Sequence, residues 1–367
     1  MGIDPLEKLG CQTQRFEIIE RCNVGFSTQP TLAYAAHPMR RLRWPLTIKS
    51  STKMTISQKI LRTFQKSTLL IEHPRGDDYP GVVGTGFFIN DTSDENIFYF
   101  LMTNHNFWRY KNKGGLYAQN TQIDMNEVQN RIDNFRIYFP KYNDNDEYIG
   151  DVCDDPLPPI FIKSLIIPSS GKNFSKQLNE DDFCILKLDF NISEEREKYN
   201  EVCCEFKSKI KELSYSKFAN NEIIEDIVKK ECRVSITGFP RNNINNDLDF
   251  DKCILKINAK YYTAFAKIAR LERNFFLKLH ELRQKNGDPF EDFSTEMNGL
   301  SGSPVLFISN NQSIVLGMLI LGGNLGTEYE GTAYSISINH LLMCLKDDQY
   351  VTEIKNQKFI NINPYFK

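Results

Sequence analysis

Short apolar segments separated by polar turns recur along most of this chain. They form two groups, one between about residues 66 and 190 and one between about 230 and 350. Such segments, rich in β-branched and aromatic residues, are typical of strands. Short strands joined by polar turns favour closed or nearly closed antiparallel barrels over alternating βαβ units. The sequence therefore predicts an all-β dominated fold with two antiparallel barrels. The predicted strands are 68–72, 84–90, 98–102, 135–139, 160–167, 183–188, 234–237, 253–257, 305–309, 314–321 and 332–338.

Three stretches depart from this strand pattern and predict helices. Residues 54–65 turn helical, with Ile56, Ile60 and Phe64 on one face. Residues 193–230 are charged and helix-permissive, as is a stretch from about 262 to 285. The first helix would cap the first barrel. The two later ones are interpreted either as solvated decoration or as elements that dock a protein partner or form a lid.

These patterns divide the chain into four parts. Residues 1–53 are predicted to be a poorly structured leader, and residues 54–190 a first barrel with an N-terminal helix. Residues 191–230 form a helical insertion, and residues 231–367 a second barrel with an inserted helix and a C-terminal helix. The leader is open to three interpretations: a flexible segment, a weak organelle-targeting stretch, or translated sequence upstream of a start at Met54.

Composition narrows the class of protein. The chain has 367 residues and a formal net charge of −2, which offers no electrostatic footprint for nucleic acid. Its nine cysteines show no repeated Cys-x-x-Cys spacing and no His-rich ligand spacing, so a structural zinc site is not expected. The vicinal pair Cys203-Cys204 is poorly suited to a disulfide, which favours a reducing compartment. No secretory signal and no run of 18 apolar residues is found, so a cytoplasmic protein without a membrane partner is expected.

A candidate nucleophile lies near the end of the second group of strands. Residues 299–305 read Gly-Leu-Ser-Gly-Ser-Pro-Val and place Ser301 in a glycine-flanked turn just before an apolar strand. Serine is a poor nucleophile unless its backbone holds Oγ outward and aims N–H groups at the attacked carbonyl. Gly299 permits unusual dihedrals, so the N–H groups of Gly299 and Ser301 could form an oxyanion hole.

Upstream segments supply partners for Ser301 in a definite order. Residues 84–89 read Gly-Thr-Gly-Phe-Phe-Ile, and the next strand ends in the polar cluster Thr-Asn-His-Asn that contains His105. Asp182 comes directly before the strand 183–188, and a strand closed by Gly-Phe-Pro follows at 234–240. Histidine, aspartate and serine thus occur in this order, each at the end of a strand.

On these motifs the chain resembles the trypsin-like (chymotrypsin-fold) serine peptidases of intracellular or bacterial type. The resemblance covers roughly residues 66–348, with a long insertion after Leu188. It implies two β-barrels and an acyl transfer to Ser301 that needs no metal or cofactor, with a peptide or protein as substrate. It matches the nucleophile to Ser301 and the acid to Asp182, the acid that adjoins the strand, and His105 is the candidate for the catalytic histidine. The resemblance further implies a substrate pocket formed by Thr295, Ile320, Leu321 and Gly322.

One position departs from the family pattern. Relatives usually read Thr-Asn-x-His, so Asn106 occupies the expected histidine slot and His105 comes one residue early. An asparagine amide cannot act as a general base, and a one-residue offset in an extended segment points a side chain the opposite way. Two hypotheses remain open: a serine endopeptidase whose base is His105, or a catalytically impaired relative that binds peptides.

Overall fold

The computed structural model describes residues 66–72, 81–90, 93–107, 125–140, 157–168, 182–191, 200–240, 244–249, 254–259, 262–272, 276–284, 287–288, 297–309, 312–322, 331–347, 349–357 and 359. The described residues form a mostly β protein with two large sheets and a two-stranded ribbon. The predicted leader 1–53, the predicted helix at 54–65 and Thr295 lie outside these ranges.

Fifteen strands and five α-helices are found in the described part of the chain. The strands are β1 (Ser67–Glu72), β2 (Gly81–Ile89), β3 (Ile97–Met102), β4 (Phe135–Tyr138), β5 (Ile162–Pro168), β6 (Cys184–Asp189), β7 (Arg233–Gly238), β8 (Ile244–Asp249), β9 (Ile254–Ala259), β10 (Tyr262–Glu272), β11 (Phe276–Arg283), β12 (Pro304–Ser309), β13 (Gln312–Gly322), β14 (Ala333–Ser337) and β15 (Val351–Lys355). The helices are α1 (Asn104–Phe107), α2 (Met125–Asn134), α3 (Asn200–Leu213), α4 (Asn221–Lys229) and α5 (Ile338–Cys344), and a 3₁₀ turn covers Pro159–Phe161.

The two large sheets differ in closure. The first has the order β15-β5-β6-β3-β2-β1-β4 with antiparallel neighbours and curls into half a barrel. The second is a closed six-stranded barrel with the order β10-β11-β14-β13-β12-β7. β8 and β9 pair with each other as a separate ribbon. The β-dominated class expected from sequence is confirmed, with one closed barrel and one open, curled sheet.

Strand alternation builds three apolar cores. In β3, Phe98, Phe100 and Met102 lie in the core of the first sheet, whereas Leu101 belongs to the core between this sheet and the closed barrel. Another core fills the barrel interior, and the third joins the two sheets. Burying one side chain of this size contributes roughly 1.5–3 kcal/mol. The core between the sheets fixes the first sheet against the barrel, which is where the candidate site lies.

The helices at 200–229 cover the two sheets rather than standing apart from them. α3 packs Cys203, Phe206 and Ile210 into the first core, at the three- and four-residue spacing of an amphipathic helix. α4 packs Ile224 and Ile227 into the barrel core. Cys203 is buried and its neighbour Cys204 is exposed, and both are free thiols.

The helix predicted at about 262–285 is wrong, because this segment forms the paired strands β10 and β11. Ala264, Ala266 and Ile268 are buried in the barrel core, and the residues between them are only half-buried. That period of two is a strand pattern, and it overrides the helix propensity of the alanine, lysine, leucine and arginine residues here. His280 accordingly lies on a strand.

The segment after α5 also corrects a predicted boundary. The chain was predicted to stay with the second barrel to its end, but the strand that follows α5, β15, pairs with β5 of the first sheet. Only Val351 and Ile354 of this strand are buried, so it carries too little alternation to be identified from sequence. Asn356 follows it, fully buried, and donates hydrogen bonds to the carbonyl oxygens of Pro159 and Ile162.

Candidate functional site

Ser301 lies at the corner of two consecutive tight turns. In the first, the N–H of Leu300 donates to Met297 O at 3.0 Å; in the second, the N–H of Ser303 donates to Leu300 O at 2.8 Å. The third residue of each turn is a glycine with positive φ, 94° at Gly299 and 92° at Gly302. Type II turns require this conformation at that position, and glycine adopts it without strain. The glycines of the motif thus create the corner that carries Ser301.

Thr85 on β2 ties this turn to the first sheet. Its hydroxyl donates to Gly299 O at 2.8 Å and its N–H donates to Ser301 O at 3.2 Å. The same hydroxyl accepts the N–H of Phe239 at 3.1 Å, so one side chain joins three segments. Gly302 packs so closely on Thr85 O that a Cβ at residue 302 would overlap it. Sequence reasoning gave Thr85 no role, although its position between Gly84 and Gly86 was the available signal.

These contacts leave two N–H groups of the turn without a backbone acceptor. Leu300 O is held by the N–H of Ser303, and in a trans peptide the N–H of Ser301 points the opposite way. Among the residues described, neither the N–H of Ser301 nor that of Gly299 donates to a backbone carbonyl. The pair predicted as an oxyanion hole is therefore oriented by the turn and not engaged within it.

His105 lies on the single helical turn α1, directly after β3. Thr103 O accepts the N–H groups of Asn106 and Phe107, at 3.2 and 3.4 Å. Successive side chains on a helical turn are about 100° apart. The sequence predicted an extended segment here, in which neighbouring side chains would point in opposite directions. Asn106 and Phe107 are buried, while the His105 side chain is 31% exposed.

Asp182, two residues before β6, holds His105 at two points. Its Oδ2 lies 2.8 Å from His105 Nδ1, and its Oδ1 accepts the backbone N–H of His105 at 3.1 Å. Burial lowers the pKa of His105, but the charge and hydrogen bond of Asp182 outweigh burial and raise this pKa above its ordinary value of 6.5. With Nδ1 donating to Asp182, the neutral ring has Nε2 available as a proton acceptor.

The histidine turn packs against the serine turn at two residues, Asn106 and Thr103, which lie on either side of His105 in sequence. Asn106 Nδ2 donates to Ser301 O at 2.8 Å, and a Cβ on Gly302 would lie 3.6 Å from the backbone nitrogen of Thr103. His105 and Ser301 make no direct hydrogen bond. Ser301 Oγ instead donates to Ile320 O at 3.4 Å, a long and weak bond. Asn106 thus joins the turn that carries the His105–Asp182 pair to the turn that carries Ser301, and these two turns form one wall of the candidate site.

The predicted substrate-binding residues end strand β13 beside this wall. β13 pairs with β12 as far as Met318, and Leu319 exchanges hydrogen bonds of 2.8 Å with Gly302 and Ser303. Beyond that point, within the residues described, only β14 pairs with β13. Ile320 is buried, and Leu321 is 39% exposed. Among the residues described, the edge of β13 opposite β14 has no strand partner beyond Leu319, and Gly322 lies on this edge.

Comparison with known proteins does not place this chain in a family. No known protein-family profile matches it, and no similar sequence is found among curated proteins. In the ranges described, no group of three or more His, Cys, Asp or Glu side chains is arranged to hold a metal ion. No helix there is both long enough and apolar enough to cross a bilayer.

Proposed function

We propose that this protein is a serine endopeptidase of the chymotrypsin type, with Ser301 as nucleophile, His105 as general base and Asp182 as the residue that orients His105. The observation that carries the proposal is the contact of 2.8 Å between His105 and Asp182 on the wall that bears the Ser301 turn. A closed barrel against a curled sheet, with the candidate residues between them, supports the two-barrel assignment.

The geometry supports an acyl-transfer reaction. Ser301 Oγ attacks a peptide carbonyl while His105 Nε2 accepts its proton, and Asp182 stabilises the resulting imidazolium. The N–H groups of Gly299 and Ser301 receive the oxyanion. His105 then protonates the leaving amine, and water hydrolyses the acyl-enzyme by the same steps. Rotation of Ser301 Oγ from Ile320 O towards His105 must precede the attack, because the two residues are not hydrogen bonded.

The open edge of β13 supports an extended peptide as substrate. A peptide that adds to this edge would pair with the backbone of residues 320–322 and place one carbonyl at Ser301. Thr295 would form a neutral base of the side-chain pocket, which favours a medium-sized neutral residue before the scissile bond. Cleavage of a peptide library mainly after Arg or Lys would contradict this preference.

A serine-directed fluorophosphonate tests the proposed activity. The wild-type protein should be labelled, Ser301→Ala should not be labelled, and His105→Ala should retain only a small fraction of the labelling rate. The expected loss in His105→Ala is large, because a triad without its base retains little beyond oxyanion and binding effects. Wild-type labelling that survives unchanged in Ser301→Ala would show that another residue reacts.

One observation favours a second candidate function, a peptide-binding module without catalysis. Ser301 Oγ donates to Ile320 O and not to His105, so the hydroxyl is not activated in this arrangement. The open edge of β13 would still bind an extended peptide. Absence of labelling in the wild-type protein, together with peptide binding that Leu321→Asp weakens, would favour this function over the peptidase.

A further inference from the structure

Asn106, the residue in the slot where peptidase relatives carry histidine, has a defined set of contacts. Its side chain is buried, with 5% of its surface exposed. Its Nδ2 donates to Ser301 O at 2.8 Å, and the same oxygen accepts the N–H of Thr85 at the longer distance of 3.2 Å. Asn106 therefore supplies the shorter of two hydrogen bonds that hold the nucleophile's own carbonyl group.

Gly84 packs directly against the side-chain amide of Asn106. A Cβ placed on Gly84 would overlap the Asn106 amide, so only glycine leaves room for it at this position of β2. The tight fit limits the Asn106 side chain to the position from which it reaches Ser301. The first glycine of the Gly-Thr-Gly motif and the unusual Asn106 thus form one arrangement.

Asn106 also connects the two turns that carry the proposed reacting side chains. His105 and Asn106 are consecutive residues on α1, and the Asn106 amide contacts the carbonyl of Ser301. A shift of the serine turn is therefore transmitted to the histidine turn through one side chain. Catalysis by a serine and a histidine on separate segments depends on holding their relative position within a fraction of an ångström.

We propose that Asn106 is a positioning residue, which fixes the Ser301 turn relative to His105 by donating a hydrogen bond to Ser301 O. This inference rests on the proposed peptidase function, because it concerns the geometry of that site. It explains why the histidine comes one residue early: the residue after it provides a donor to the nucleophile turn. The essential property is the donor, and not merely the volume of the side chain.

The first test compares matched substitutions within α1. Asn106→Leu keeps a similar volume and removes the donor, and we expect the fluorophosphonate labelling rate to fall roughly tenfold or more. Asn104→Leu is the control, since Asn104 is also buried and, within the described ranges, neither polar atom of its amide has a hydrogen-bond partner. Asn104→Leu should label within about twofold of the wild-type rate, because a buried polar group without a partner contributes little.

The second test uses pH to separate donation from packing. In Asn106→Asp the carboxyl group can donate to Ser301 O only while protonated, and burial raises its pKa. Labelling of this variant should fall as the pH rises through that pKa, giving an alkaline limb that the wild-type protein lacks. Asn106→Leu should keep the wild-type shape at a lower plateau. A loss that is independent of pH in both variants would show a packing role and overturn the proposal.

The third test approaches the same bond from Gly84. Gly84→Ala should displace the Asn106 amide and lower labelling to a similar extent as Asn106→Leu. The double variant should then be no slower than the slower single variant, because both changes break one contact. Additive losses would mean that Gly84 acts independently of Asn106.

The outcomes distinguish this inference from the proposed function. If Ser301→Ala abolishes labelling while Asn106→Leu labels at the wild-type rate, Asn106 is not a positioning residue and the peptidase function stands. If the wild-type protein is not labelled at all, the peptidase function fails and this inference fails with it. Circular dichroism and urea unfolding of each variant verify that a loss of labelling does not reflect a loss of fold.

Discussion

The two turns that meet at the candidate site are held in different ways. The Ser301 turn is shaped by its own backbone, through two glycines with positive φ and the hydrogen bonds to Met297 O and Leu300 O. The His105 turn is held by a side chain from another strand, the carboxylate of Asp182. The comparison teaches that the shape of the nucleophile turn is encoded locally, whereas the position of the base depends on tertiary contacts.

The largest effect is expected from removing the tertiary contact between Asp182 and His105. Asp182→Asn should lower the labelling rate by roughly 10⁴-fold, because the amide can donate to Nδ1 and leave His105 in the wrong tautomer. Asp189→Asn is the matched control at the other end of β6, where Asp189 pairs with Lys163 at 2.6 Å. The control should label nearly as the wild-type protein does. Equal losses in both variants would indicate a general effect on β6.

A glycine substitution separates the local contribution to the serine turn from the tertiary one. Alanine is strained at the positive φ of Gly302, and the new Cβ of Gly302→Ala would also overlap Thr85 O, so labelling should fall by roughly a hundredfold or more. Gly287→Ala introduces the same kind of backbone strain, at φ 91°, without the tertiary overlap, because no described atom lies within 4 Å of the new Cβ. Both variants should lose about 1–3 kcal/mol in urea unfolding. Only Gly302→Ala should lose labelling.

A smaller effect is expected at Thr85, which ties the Ser301 turn to the first sheet. Thr85→Val removes the hydroxyl that bonds Gly299 O and accepts the N–H of Phe239, and labelling should fall about tenfold. Thr68→Val removes a comparable buried bond, from the Thr68 hydroxyl to Gly86 O at 3.1 Å. Urea unfolding should show a similar loss of about 1–3 kcal/mol for each. If Thr68→Val slows labelling as strongly, the serine turn has no special dependence on Thr85.

The smallest expected effect is the pH dependence that His105 gives to labelling and to stability. The labelling rate should rise with pH through the pKa of His105, with a midpoint above 6.5, because only the neutral ring accepts the serine proton. The stability of the fold should change with pH in the opposite direction to the labelling rate. A raised pKa means that the folded state binds the proton more tightly, so the unfolding free energy should decrease as the pH rises through the same range. A labelling midpoint at or below 6.5 would contradict the effect of Asp182.

The difference between the two turns also explains what the sequence could predict. Most strands of the two sheets were identified, because their apolar, β-branched segments are readable from sequence. β10 and β11 were predicted as a helix, because alanine, lysine and leucine favour helices until a barrel core buries every second residue. β15 was missed, since its partner β5 is distant in sequence and supplies most of the pattern that fixes it.

Within the candidate site, the motif around Ser301 was readable because each glycine has a local conformational reason. The orientation of His105 was not readable, since it depends on α1 beginning at Asn104 and on the contact with Asp182. The roles of Asn106 and Thr85 depend on bonds across 195 and 214 residues, to Ser301 and Gly299 respectively. No local pattern reports contacts of that kind.

The pairing of β15 with β5 has a consequence for biosynthesis. While the ribosome makes residues 190–350, the edge of β5 opposite β6 lacks its native partner β15, although β6 has already been made. An uncovered strand edge is a template for association with other chains. The nascent protein must therefore protect this edge until residue 355 emerges, and the curled sheet that carries His105 and Asp182 is completed only then.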